Sequence, residues 1–188
     1  MMIPGLQILF EARKSNLQFH NDCYLSIDGT DFYVQNNGPA FASHKLKGKS
    51  ALRYEIGLDI LRGFIAWIHG PFPAGAWPDI NIFHHALKHH LDKNEHVKTD
   101  DGYRGEAPAK VKCPASFANP VENEAMQNLV RSRQETVNMR FKQWQILNVQ
   151  FRHDLSSHGY VFRAVAVITQ LSMQNGEPLF AVDYKDPK

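Results

Sequence analysis

Apolar and polar positions along the 188-residue chain fall into stretches of two periods. In "ALRYEIGLDIL", Leu52, Tyr54, Ile56, Leu58 and Ile60 occupy alternate positions, which predicts a half-buried strand. "GFIAWI", from Gly63 to Ile68, is short and continuously apolar, as in a central strand covered on both faces. "CYLSIDGTDFYV" reads as an apolar run, an acid–glycine turn and a second apolar run. It predicts a strand ending near Ile27 and a return strand from Phe32. "DINIFHHALKHHLDK" predicts a helix opened by Asp79 directly after Pro78, an acid where the helix dipole favours one.

"HVKT" predicts a very short strand before a second acid–glycine turn. Residues 104–123 contain Pro108, Cys113, Pro114 and Pro120 and read as loop. A long helix is expected from Glu124 to Asn148, and a more apolar one over His158–Met173. "PLFAVDY" closes the chain as a last strand or an appendage, and residues 1–21 form a lead-in with a short helical piece. Strands first, then helix, strand, helix and helix, make a mixed α/β layer plan.

The long helix carries a second pattern. At about 100° per residue, Asn128, Arg131, Glu135, Asn138 and Lys142 fall within an arc of roughly 80°. Val130, Val137, Phe141 and Trp144 cluster on the opposite side, ready to pack on a sheet. A solvated face with an Arg131–Glu135 pair, worth only a few tenths of a kcal/mol, explains such a stripe on most helices. The acids elsewhere in the chain change that balance. Asp28 is expected at the end of the first strand, Asp100 after "HVKT", and Asp79 at a helix start. Ligands of open α/β sheets gather at strand ends. Carboxylates converging there repel unless a cation neutralises them, and hard divalent ions such as Mg²⁺ take oxygen ligands of this kind.

Composition narrows the possibilities further. Hydrophobic residues are 43% and charged residues 21% of the chain, an ordinary globular balance. A formal net charge of +2 leaves nucleic-acid binding to local clusters of Lys and Arg. The loop bearing His44, Lys45, Lys47 and Lys49 is one such cluster, equally readable as a solvated loop. Two distant cysteines, Cys23 and Cys113, make no disulfide framework and fit a reducing compartment. No apolar run has the length of a membrane span and the N-terminus is a poor signal peptide, so a soluble intracellular protein is expected.

Four segments in order carry a resemblance: "SIDGTDF" at 26–32, "GAWPDINIF" at 75–83, "DDGYRG" at 100–105 and "NLVRSRQETVNMRFK" at 128–142. On these the chain resembles the catalytic domain of PIF/Harbinger-type DDE transposases, the DDE superfamily endonucleases. The last segment follows their Y-x2-R-x3-E-x6-K signature through Arg131, Glu135 and Lys142, with Asn128 in place of the tyrosine. The resemblance implies an RNase H-like fold, a mixed sheet flanked by helices, with the catalytic domain at residues 23–174 between a lead-in (1–22) and a tail (175–188). It implies Asp28, Asp100 and Glu135 as the catalytic, metal-binding triad and Asp79 as a further metal-site residue. In this chain Trp77 and Pro78 replace the residues that usually precede that acid. Asp101 remains an alternative to Asp100.

The cofactor implied is Mg²⁺ or Mn²⁺, and the reaction is two-metal cleavage and joining of DNA phosphodiesters. Arg131 and Lys142 would position DNA or the Glu135 carboxylate. Few residues precede Asp28, so sequence-specific recognition is expected from elsewhere, such as a separate Myb-like partner. Oligomerisation stays open. A nuclear location is expected in a eukaryotic host and a cytoplasmic one otherwise. The rival readings are an inactive or domesticated transposase-derived protein that binds DNA or protein, and an RNase H-like nuclease acting on RNA–DNA hybrids.

Other features weigh less. His85 and His89 have i,i+4 spacing suited to zinc but no third ligand in view, so a polar helix face is the expectation. Asp59 and Glu106 are expected on the surface, and Cys23 as a small buried residue.

Overall fold

A computed structural model describes residues 8, 10–14, 22–114 and 120–182, the last range without the side chains of 120–127. Expectations for residues 1–7, 9, 15–21, 115–119 and 183–188 lie outside the described residues. Five strands form one sheet: β1 (Cys23–Tyr33), β2 (Ala51–Asp59), β3 (Ile65–Pro73), β4 (His96–Lys98) and β5 (Val111–Lys112). Their spatial order is β3-β2-β1-β4-β5. β1 and β2 pair antiparallel, as do β2 and β3, whereas β4 runs parallel to β1 and β5 parallel to β4. The helices are α1 (Asp79–His85), α2 (Leu87–His90), α3 (Pro120–Gln143), α4 (Gln145–Asn148) and α5 (Leu155–Gln174).

Helices cover both faces. On one, Phe32, Tyr54, Ile56 and Leu58 pack with Val137 and Phe141 of α3 and Phe162, Val165 and Ala166 of α5. On the other, Leu25, Ile27 and Val97 pack with Phe83, Leu87 and Tyr103. Each large side chain buried here contributes about 1.5–3 kcal/mol of transfer free energy. The lead-in is tied to the body by Arg13, which meets Glu95 through two hydrogen bonds of 2.7 and 2.8 Å. The tail has no strand over the described residues 178–182, but Leu179 and Val182 are buried against the body.

The turn expected at Asp28–Gly29 does not form. β1 continues through it, paired with β2 from Leu25↔Asp59 to Tyr33↔Ala51. The glycine serves a close approach instead: a Cβ at residue 29 would fall on Asp79 Oδ1. The expected central strand at 63–68 begins β3 at the edge of the sheet. β2 lies further in, and all nine of its residues are buried, not half-buried. The single helix expected from Asp79 breaks at Ala86, whose φ/ψ of −141°/−67° is not helical. The helix expected to run to Asn148 breaks at Trp144, which is extended and 41% exposed instead of packing on the sheet. A loop expected over 104–123 yields β5 and the start of α3.

Among the described residues no helix is long and apolar enough to cross a membrane. Cys23 and Cys113 are buried and form no disulfide.

Candidate active site

Alternation along β1 sends Ser26, Asp28 and Phe32 toward α3, and Ile27, Gly29 and Asp31 toward α1. Hydrogen bonds from α3 fix the first set. Ser26 Oγ donates to Gln134 Oε1 at 3.1 Å, and Gln134 Nε2 donates to the Ile56 carbonyl at 3.0 Å. Asn138 Nδ2 donates to Asp28 Oδ2 at 2.9 Å. Val130, Val137 and Phe141 are buried, so the apolar back of the helix docks as its pattern requires. The polar stripe then faces a cleft. Asn128, Arg131, Glu135, Asn138 and Lys142 all line it, together with Asp28, Lys45, Lys98, Asp100 and Asp101, in a volume of about 580 Å³.

On the other side of β1, Asp79 opens α1 directly against Gly29. Its Oδ1 lies 3.3 Å from Arg53 Nη1 and its Oδ2 lies 3.2 Å from Lys45 Nζ. Lys45 Nζ also reaches Asp28 Oδ1 at 3.5 Å and donates to the Gly29 carbonyl. Asp100, two residues beyond β4, accepts a hydrogen bond from Gly102 N at 2.9 Å and so caps the following 3₁₀ turn. A Cβ at Gly102 would stand 2.9 Å from Asp100 Oδ1 and 3.7 Å from Asp79 Oδ2, which locates both carboxylates at one spot.

Three aspartates thus act on one another. Burial raises the Asp28 carboxyl above its ordinary value; Lys45 opposes this, and the charges of Asp79 and Asp100 add to it. Burial works to lower the Lys45 ammonium, but Asp28 and Asp79 outweigh it together and hold the group protonated. Asp100 bears on Asp28, and both Asp100 and Asp101 border the cleft. Glu135 shares the cleft but is set apart. Its side chain is 61% exposed and its Oε1 lies 3.3 Å from Arg131 Nε. Arg131 therefore touches the glutamate in an exposed i,i+4 pair, and Lys142 lines the wall about two turns beyond Glu135. Among the described residues no three carboxylate, imidazole or thiol groups form a complete metal-ligand set.

The donor set nevertheless suits a hard cation. Asp28, Asp79 and Asp100 offer carboxylate oxygens, the donors that Mg²⁺ and Mn²⁺ prefer. Their surplus charge has already drawn in one cation, the Lys45 ammonium.

Beneath the acids lies a polar layer that the strand pattern concealed. Arg53 Nε and Nη2 bond Asp31 Oδ1 and Oδ2 at 2.6 and 2.8 Å, and Ser43 Oγ donates to the same carboxylate. Glu55 is fully buried and takes a 2.9 Å hydrogen bond from Trp67 Nε1. Burial pushes its carboxyl up to about 8; the Trp67 bond opposes this and Asp79 adds to it. Alternation in "ALRYEIGLD" assigns Arg53 and Glu55 to a polar face, and only the covering helix turns that face inward. Asp59, expected on the surface, is buried: it accepts from Leu61 N and Arg62 N and pairs with Arg62 at 2.6 Å. Glu106 likewise binds Lys88 and His84 at 2.7 and 2.6 Å. His85 and His89 sit on separate helices because of the break at Ala86, and His85 Nδ1 meets His69 Nε2 at 2.9 Å.

Compared with protein-family models, curated proteins and solved structures, the chain matches none.

Proposed function

We propose that the chain is the catalytic domain of a divalent-metal-dependent DNA endonuclease of the DDE transposase type, built on an RNase H-like sheet. One observation carries this reading. The five polar positions of α3, spaced at three and four residues, line the same cleft as Asp28 and Asp100 from the sheet. A solvated helix face would not need to be shared with one acid on a strand and another just past a strand end. The sheet order, with β4 and β5 parallel to β1 and the acids on β1 and just after β4, is compatible with the fold.

In this reading Asp28, Asp79, Asp100 and Glu135 would hold Mg²⁺ or Mn²⁺, which would supply activation of a water or 3′-hydroxyl and charge neutralisation at the leaving oxygen. The chain's own groups do the rest. Asn138 fixes one oxygen of Asp28 and leaves the other to the cleft. The Gly102 amide orients Asp100. Arg131 and Lys142 provide cationic contacts for phosphates along one wall. Release of Glu135 from its exposed pair with Arg131 costs little, since such pairs contribute well under 1 kcal/mol. The test is nicking of supercoiled DNA in Mg²⁺ or Mn²⁺. Wild-type protein is expected to nick, and Asp28→Ala and Glu135→Ala to lose nearly all activity. Equal nicking by all three proteins refutes the assignment.

A second reading is a transposase-derived binding protein without cleavage. The pairing of Glu135 with Arg131 favours it. DNA association in a gel-shift assay, with no heat of Mn²⁺ binding in calorimetry, is the result it requires.

A further inference from the structure

Lys45 differs from the other lysines of its loop. All three are exposed, Lys45 with 39% of its side chain accessible, and the Lys49 ammonium lies over the Tyr33 ring at 5.1 Å. Lys45 alone of the three reaches in, with its ammonium against Asp28, Asp79 and the Gly29 carbonyl. The loop is made to aim it. Ser43 is fully buried, and its Oγ both donates to Asp31 and accepts from Leu46 N at 3.0 Å. The Ser43 N–Lys49 O and Gly48 N–Ser43 O bonds, 2.9 and 2.8 Å, close the loop at its base. Asp31 is in turn held by Arg53, the residue that pairs with Asp79. Loop and acid are therefore built on one buried arginine.

Asp79 supplies an independent sign of a ligand. Its side chain is nine-tenths buried, and Oδ1 accepts no hydrogen bond, its contact being the 3.3 Å ion pair with Arg53. A buried carboxylate so placed keeps capacity for a further positive partner.

We propose that Lys45 is the resident counter-ion of this site, its ammonium occupying the space between Asp28 and Asp79 that a divalent cation takes, so that cation entry and withdrawal of Lys45 are one event. The inference rests on the metal-dependent reading above and adds a regulatory step to it. A divalent ion has twice the Coulomb attraction of an ammonium at equal distance, so it wins at sufficient concentration. The flexible four-carbon stem lets Lys45 leave while Ser43 keeps the loop in place. The acid cluster thus stays neutralised when metal is scarce, and its apparent metal affinity is lowered.

Mn²⁺ calorimetry on the full chain, at fixed pH and salt, compares wild type with Lys45→Gln and Lys45→Arg. Lys45→Gln is expected to bind Mn²⁺ about tenfold more tightly, a loss of competition worth about 1.4 kcal/mol, and Lys45→Arg to stay near wild type. In parallel, acetic anhydride labelling read by mass spectrometry should find Lys45 less reactive than Lys47 without metal and more reactive at saturating Mn²⁺, with Lys47 as internal control. Unchanged or weaker Mn²⁺ binding by Lys45→Gln overturns the inference, as does unchanged labelling at saturation, and both leave the metal site standing. No Mn²⁺ binding by wild type or Lys45→Gln removes the metal reading, and this one with it.

Discussion

Asp31 and Asp28 lie three residues apart on one strand and face opposite sides of it. Asp31 is buried in a closed set of partners: two hydrogen bonds from Arg53 and one from Ser43. Asp28 borders an open cleft with one amide donor, an ammonium at 3.5 Å and two other aspartates near enough to raise its pKa. The first carboxylate is satisfied, so it can only hold the fold. The second is left electrostatically short of positive charge, which is how a site differs from a scaffold. The two sides are connected: Arg53 pairs with both Asp31 and Asp79, and Lys45 with both Asp79 and Asp28.

The largest effect should come from the closed side. Arg53→Ala leaves Asp31 buried and uncompensated and should cost about 3–5 kcal/mol, read as a lower urea midpoint. A loss below 1 kcal/mol would mean that Asp31 is not the scaffold.

Gly29→Ala sits on the boundary between the two regions. The new methyl meets Asp79 Oδ1, so overpacking should cost about 1–3 kcal/mol and DNA nicking should fall with it. Wild-type stability and activity in this variant would show that Asp79 need not press on the strand.

Glu55 extends the contrast into pH. Its carboxyl titrates near 4.5 in the unfolded chain and about 8 in the fold, so the native state holds the extra proton between these values. Stability from this group is complete below pH 4.5 and is lost as pH rises through 8. His158 works the other way, but only below pH 6.5. Burial lowers its imidazole to about 4, and stability is lost as pH falls from 6.5 through that value. Between pH 6.5 and 8, therefore, Glu55→Gln should flatten the decline, gaining about 2 kcal/mol on wild type across that window. Parallel denaturation curves for wild type and variant across that window would contradict it.

The smallest effect belongs to the open side. Asp28→Asn relieves repulsion with Asp79 and Asp100 and should raise the urea midpoint, by about 0.5–2 kcal/mol, while abolishing nicking. Destabilisation comparable to that of Arg53→Ala would erase the distinction between the two aspartates.

Much of the site was legible because it rests on periodicity. The stripe from Asn128 to Lys142 follows from helical geometry, and its burial partners Val130, Val137 and Phe141 took their expected side. The lone Trp144 did not, since the helix ends before it. The two acid–glycine pairs looked alike in sequence but differ in the fold. Asp100–Gly102 does turn, whereas Asp28–Gly29 runs straight because Asp79 needs the space above the glycine. Arg53, Glu55 and Asp59 were hidden for a related reason. Alternation tells which residues share a face, and only a long-range contact decides whether that face meets water. Lys45 was visible as one member of a basic loop, but its inward aim depends on Ser43, Asp31 and Arg53, spread over distant stretches of chain.

The most direct test of the central claim is an anomalous difference map from crystals soaked in Mn²⁺. The expected result is manganese density in contact with Asp28, Asp79 and Asp100, with Lys45 withdrawn from between Asp28 and Asp79. No manganese in the cleft at millimolar concentration, with Lys45 still seated against both aspartates, would contradict it.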